Sequence, residues 1–160
     1  MLKRTLAARI PFLALVLLLL VPASFVQADS VQVQAKTTPP PTEFTLLTVF
    51  DPDYLYLENG HAYIFNDGDE KVKIAGESSG TIRVDEIGVQ VTLQRWTGIA
   101  WIDVFFGSSI TDSDAAYVYS SYSNVSVESG YYYRAKAYHW IVEGAVSESG
   151  YRYSNTFLVP

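Results

Sequence analysis

The sequence predicts an all-β fold, an antiparallel β-sandwich, set behind a removable N-terminal leader and a short arm. Three observations carry this expectation. From Phe44 onward, short apolar runs are separated by clusters of Gly, Asn and Asp, the spacing of a domain built from many strands. Val89, Val91 and Leu93 alternate with Gln90, Thr92 and Gln94, the two-residue period of a strand with one buried face. No stretch beyond residue 28 sustains apolar residues at helical spacing.

The leader is set apart by composition. Lys3, Arg4 and Arg9 form a basic start, and Phe12 to Val21 is almost wholly apolar. Val26-Gln27-Ala28 then offers short side chains to a signal peptidase, so residues 1–28 read as a secretory signal peptide, in contact with the membrane only before cleavage. Residues 29–43 contain Pro39-Pro40-Pro41, which locks φ and favours an extended backbone, and read as a flexible Pro-rich arm. Residues 44–160 remain as one β-sandwich domain. The leader holds three of the eleven basic residues and none of the seventeen acids, so the 132 residues after it carry a net charge of −9. That acidity disfavours nucleic acid and anionic surfaces as partners. Cysteine is absent, which excludes disulfides, thiolate metal sites, a cysteine nucleophile and a lipoprotein anchor. With no sorting tail after Phe157, the expectation is a secreted, extracellular protein, and secretion without disulfides points to a bacterial source.

The strands follow in order. Phe44 to Phe50 is a candidate strand ended by Asp51-Pro52-Asp53, and Tyr54 to Leu57 a second, short one. Asn59-Gly60 reads as a turn, because both residues tolerate positive φ. Ala62 to Phe65 runs into the Asn66-Asp67-Gly68-Asp69 turn, and Val72 and Ile74 alternate with lysines. Gly76 to Gly80 reads as a loop. Ile87 to Trp96 is the longest candidate, turning at Thr97-Gly98 into Trp101 to Phe106. After a polar loop come Ala116 to Val127, interrupted near Ser123-Asn124, then Tyr131 to Val142, and a return from Gly144 that ends in Phe157 to Val159. The expected core is Val72, Ile74, Ile87, Val89, Val91, Leu93, Trp101, Val104, Val127, Tyr133, Ala135, Ala137, Phe157 and Val159.

Two segments carry a resemblance. VESGYYYRAKAY, Val127 to Tyr138, resembles the corner between strands E and F of fibronectin type III and related immunoglobulin-like domains. There an apolar residue and a turn ending in Gly precede a tyrosine by three residues, here Val127, Gly130 and Tyr133, with Val127 in place of the usual leucine and Ser129 in place of the usual proline. The resemblance implies that the Tyr133 hydroxyl reaches back to an upstream backbone group. The ribbon VDEIGVQVTLQRWTGIAWIDV together with SGYYYR looks like a domain-of-unknown-function family of small secreted proteins from Gram-positive bacteria. That likeness spans about Ala62 to Val159 and implies a signal peptide followed by one immunoglobulin-like sandwich. It brings neither an activity nor catalytic residues.

The chemistry-bearing residues point away from catalysis. His61 and His139 are the two histidines, and neither stands at a metal-ligand spacing or beside a nucleophile motif. No cofactor motif occurs. Asp51 and Asp53, or Asp67, Asp69 and Glu70, have the oxygen chemistry for calcium, but their spacing fits no calcium loop and matches ordinary turns. The more informative constellation is aromatic. If Tyr131 to Val142 pairs with Ile87 to Trp96, then Gln94 and Trp96 share an outer face with Tyr132, Arg134, Tyr138 and Trp140. Flat rings beside amide and guanidinium donors suit a polysaccharide or another polymer of the cell envelope; cross-strand aromatic pairing is the structural alternative for the same pattern. The expected function is a secreted, non-enzymatic binding module. A self-associating matrix protein, with Ala116 to Val127 and Ser147 to Asn155 as strand edges, is the alternative, and a hydrolase or inhibitor a third.

Overall fold

The structure, a computed structural model, describes residues 34–41 and 50–160. The signal peptide, arm residues 29–33 and 42–43, and the candidate strand Phe44 to Phe50 short of its last residue lie outside the described residues. The described chain is all-β, with two antiparallel sheets forming a sandwich. The first sheet holds β1 (Leu57–Gly68), β2 (Lys71–Val84) and β6 (Ala115–Ser126) in the order β1-β2-β6. The second holds β3 (Glu86–Trp96), β4 (Trp101–Phe106), β7 (Tyr132–Glu143) and β8 (Val146–Tyr153) in the order β4-β3-β7-β8. Two short strands complete it, β5 (Ile110–Asp112) beside the start of β3 and β9 (Phe157–Leu158) beside the start of β7.

The alternation of β3 orders the core. Ile87, Val89, Val91 and Leu93 point between the sheets and are fully buried, against Val72 and Ile74 of β2 and Ala135, Ala137 and Ile141 of β7. The alanines and Gly76 let the sheets approach, since a Cβ on Gly76 would lie 2.8 Å from the Val91 side chain. Tyr133 is buried, and its hydroxyl accepts the Glu128 N–H at 3.0 Å, the backward reach expected of the corner tyrosine.

Several expectations need correction. The short strand Tyr54 to Leu57 does not form, since strand begins at Leu57. Asn59-Gly60 makes no turn: both residues lie inside β1, paired with Ser79 and Ser78. The glycine is there for close approach, because a Cβ would stand 2.8 Å from both the His139 ring and Phe50. Gly76 to Gly80 is likewise ladder, in the middle of β2. Trp101 and Val104 are not core. An irregularity in the β3–β4 register between Leu93 and Gln94 places Trp101 opposite Trp96 and Phe105 opposite Leu93. Phe105 therefore packs inward, Trp101 joins the outer face, and Val104 is 41% exposed. Val127 and Phe157 sit at the margin, partly buried against the core.

Candidate functional site

Period-two geometry brings the six singled-out residues to one surface, the outer face of the second sheet. Gln94 stands opposite Arg134 in the β3–β7 ladder, Gln90 opposite Tyr138 and Gly88 opposite Trp140. Trp96 and Tyr132 share the parity of these residues, and β8 adds Tyr151 and Tyr153, opposite Tyr138 and Lys136.

The centre of this face is a stack. The Arg134 guanidinium lies between two rings, 4.3 Å from the centroid of Trp101 and 4.2 Å from that of Tyr153. Such cation–π contacts hold a charge against an apolar surface. Arg134 Nε donates to Gln94 Oε1 at 2.8 Å, and Gln94 Nε2 donates to Asp103 Oδ1 at 2.7 Å. Lys136 Nζ donates to both Asp103 oxygens, at 3.0 and 2.8 Å. Burial pushes the Asp103 carboxyl up, but the Lys136 and Gln94 hydrogen bonds and the Arg134 charge outweigh it and hold the group below its ordinary range. Beyond Lys136 the rings continue. Tyr138 lies 4.9 Å from Tyr151 and 5.5 Å from Trp140, whose Nε1–H donates to Glu86 at 2.7 Å. Gly88 makes room for this tryptophan, since a Cβ there would stand 2.0 Å from the ring.

Depth divides the six. Gln94, Arg134 and Trp96 are 7%, 8% and 6% exposed, while Tyr132, Tyr138 and Trp140 are half-buried. Trp96 packs on Trp101 with centroids 5.4 Å apart, and its Nε1–H donates to the Thr38 carbonyl at 3.0 Å. That contact places part of the arm, residues 34–41, against the domain, where the Lys36 N–H also donates to the Gly130 carbonyl at 2.7 Å. Among the described residues, the rings of this face that keep part of their surface exposed are Trp101, Tyr132, Tyr138, Trp140, Tyr151 and Tyr153, with the Lys136–Asp103 pair beside them.

A second cluster, not singled out in the sequence, lies on the outer face of the first sheet. Glu77 Oε1 accepts the Tyr63 hydroxyl at 2.8 Å and stands 3.1 Å from His61 Nδ1, and Oε2 accepts the Tyr117 hydroxyl at 2.9 Å. His61, Tyr63 and Phe65 form a row of near-parallel rings with centroids 5.8 and 6.1 Å apart. The signal was present in the shared parity of residues 61, 63 and 65 and of 117 and 119, but it depended on reading Asn59-Gly60 as strand. Burial, then the Glu77 hydrogen bond and charge, push the Tyr117 phenol up to about 12. In a 13Cζ-tyrosine NMR titration of Glu77→Gln, Tyr117 is expected to move part of the way back toward 10.0, the ordinary phenol value. An unchanged midpoint would remove Glu77 as a cause.

Of the two histidines, His61 is an exposed member of this cluster, while His139 lies in the core with no exposed surface. Ser78 Oγ stands 2.8 Å from both His139 Nδ1 and the Gly88 carbonyl. The carbonyl only accepts, so the single serine proton goes there and Nδ1–H donates to the serine oxygen. The pair joins β7, β2 and β3 across the sandwich. Among the described residues no group of three or more His, Asp or Glu side chains is placed to hold a metal ion.

No protein-family model matches the chain, and no curated protein matches it. Among solved structures, a protein from Archaeoglobus fulgidus is similar at 17% identity, over 65% of this chain and 98% of that one, with a TM-score of 0.34.

Proposed function

We propose that this chain is a secreted, non-catalytic binding module whose ligand is an extracellular or cell-envelope polysaccharide, taken on the outer face of the second sheet. The observation that carries the reading is the run of partly exposed rings, Trp140, Tyr138, Tyr151 and Tyr153, beside a Lys136–Asp103 pair already fixed by hydrogen bonds. Rings cover the apolar faces of sugars, and the fixed charged pair offers donors and acceptors to hydroxyls at little ordering cost. The domain type we assign is immunoglobulin-like, of the fibronectin type III kind. Its support is the three-strand sheet β1-β2-β6 facing β4-β3-β7-β8, together with the hydrogen bond at the Tyr133 corner. The LQRW-x-G-x-x-W and SGYYYR segments support a place among the small secreted proteins of Gram-positive bacteria.

Retention of the chain on insoluble cell-wall and plant polysaccharides tests this function. Tyr151→Ala and Tyr138→Ala are each expected to weaken retention roughly two- to tenfold, the effect of one lost aromatic contact. No retention on any polymer, or retention unchanged in both variants, counts against the reading.

A further inference from the structure

The two open sides of the sandwich differ. On the β1–β8 side, the Glu148 carboxylate accepts the N–H groups of Leu55, Tyr56 and Leu57, and the Tyr54 hydroxyl donates to the Ser149 carbonyl at 2.7 Å. β8 also turns Glu148 and Arg152 inward, a feature that discourages a further strand from adding. On the β4–β6 side, among the described residues, the Tyr122 hydroxyl donates to the Ser108 carbonyl at 3.2 Å and its ring packs edge-on against Phe105, but no buried carboxylate gathers backbone donors there. A groove of about 430 Å3 runs between the two strands, with Val104, Phe105, Tyr122 and Val125 as its apolar lining. Phe106 of β4, on the other face of its sheet, is 66% exposed.

β6 is the edge of its sheet among the described residues, and apart from an irregularity at Ser123-Asn124 it carries neither the short length nor the charges of the other edges. β4 and β5 are six and three residues long, and β1 carries Glu58 and Asp67. β6 is twelve residues long, AAYVYSSYSNVS, with no charge, no proline and no glycine. Up to the irregularity at Asn124 it is an uncharged edge, a template for another strand. In a chain of net negative charge, it also offers a second copy an edge without acids.

We infer that β6 pairs with β6 of a second copy of this chain, antiparallel about a two-fold axis near Ser120, joining two three-stranded sheets into one of six strands. The part of β6 before Asn124, whose φ of 57° breaks the strand, is self-complementary in this register. Tyr119 falls opposite Ser121 of the other copy and Val118 opposite its Tyr122, so inward side chains meet inward ones and outward meet outward. The end of the added strand reaches the mouth of the groove at Tyr122. This contact lies away from the outer face of the second sheet and does not depend on the ligand proposed for that face.

Sedimentation velocity over a concentration series is expected to show a reversible dimer. Tyr119→Lys/Ser121→Lys sets lysine against lysine in the paired register, and is expected to weaken the dimer at least about tenfold. Both positions are solvent-facing, so the thermal midpoint of the diluted variant is a check that it remains folded. The chain has no cysteine of its own, so introduced thiols report register directly. An equimolar mixture of Tyr119→Cys and Ser121→Cys chains is expected to form a mixed disulfide dimer faster than either variant alone links to itself. A strict monomer up to millimolar concentration overturns the inference, as does a dimer that the double lysine variant leaves unchanged.

Discussion

Replacing Glu148 by alanine is expected to destabilise the fold by about 2–4 kcal/mol, the cost of leaving buried donors without acceptors. The carboxylate takes the N–H groups of Leu55, Tyr56 and Leu57 at 2.6, 2.9 and 2.6 Å. These three amides precede or begin β1, so the one side chain supplies the acceptors that a neighbouring strand would otherwise provide. Burial alone would push the Glu148 carboxyl up, but the three donors outweigh it and hold it below its ordinary value. Leu57 is 2% exposed, so water does not readily replace the lost acceptor there. Glu148→Gln keeps one oxygen but turns an amide NH2 toward the same donors, and is expected to recover only part of the loss. Urea unfolding measures both, as a lower midpoint at unchanged slope. A change below about 0.5 kcal/mol in the alanine variant, the level of an ordinary surface substitution, would mean the segment is held by something else.

Glu148 also marks where sequence reading stopped. Its partners lie 91 to 93 residues away, and nothing local distinguishes it from a solvent-facing acid in a Ser-rich strand. What was legible was whatever depends on strand period alone: the buried face of β3, the small inward residues of β7, and the gathering of Gln94, Trp96, Arg134, Tyr138 and Trp140 on one face. Depth on that face was not legible, because Trp101 from β4, Tyr153 from β8 and Thr38 from the arm supply the cover for Arg134 and Trp96. The irregularity beside Gln94 was equally silent, and it moved Trp101 and Val104 out of the expected core. Gly60 and Gly76 misled for one reason. In both, glycine answers a close approach across the core, by the His139 ring and the Val91 side chain, and local composition cannot separate that use from a turn.

Stability is expected to fall as pH drops below about 6.5, and His139 should dominate the first part of that fall. Burial, with the nearby Arg152 charge behind it, pushes this imidazole down to about 3 from an ordinary 6.5. Its Nδ1–H is committed to Ser78, and Nε2 is buried without a hydrogen-bond partner, so a second proton would have no acceptor. The native state therefore stays neutral where the unfolded chain protonates. The unfolded state then binds more protons, so unfolding becomes easier by up to about 1.4 kcal/mol per pH unit between 6.5 and 3. Glu77, Asp103 and Glu148 act in the same direction but later: each is held below its ordinary value of 4.5 or 3.8, so their contribution is present above that value and is lost as pH falls through the depressed one. In the interval from about 6.5 to 4.5 the contribution of His139 is read as the difference between the parent chain and a variant without the ring. His139→Asn retains an N–H for Ser78 and cannot take up the proton. Denaturant unfolding at a series of pH values should give it a lower plateau at neutral pH, from the lost ring volume, and a flatter profile over that interval. A profile parallel to that of the parent chain would show that the pH dependence arises elsewhere, and that the buried ring is not what makes this fold acid-sensitive.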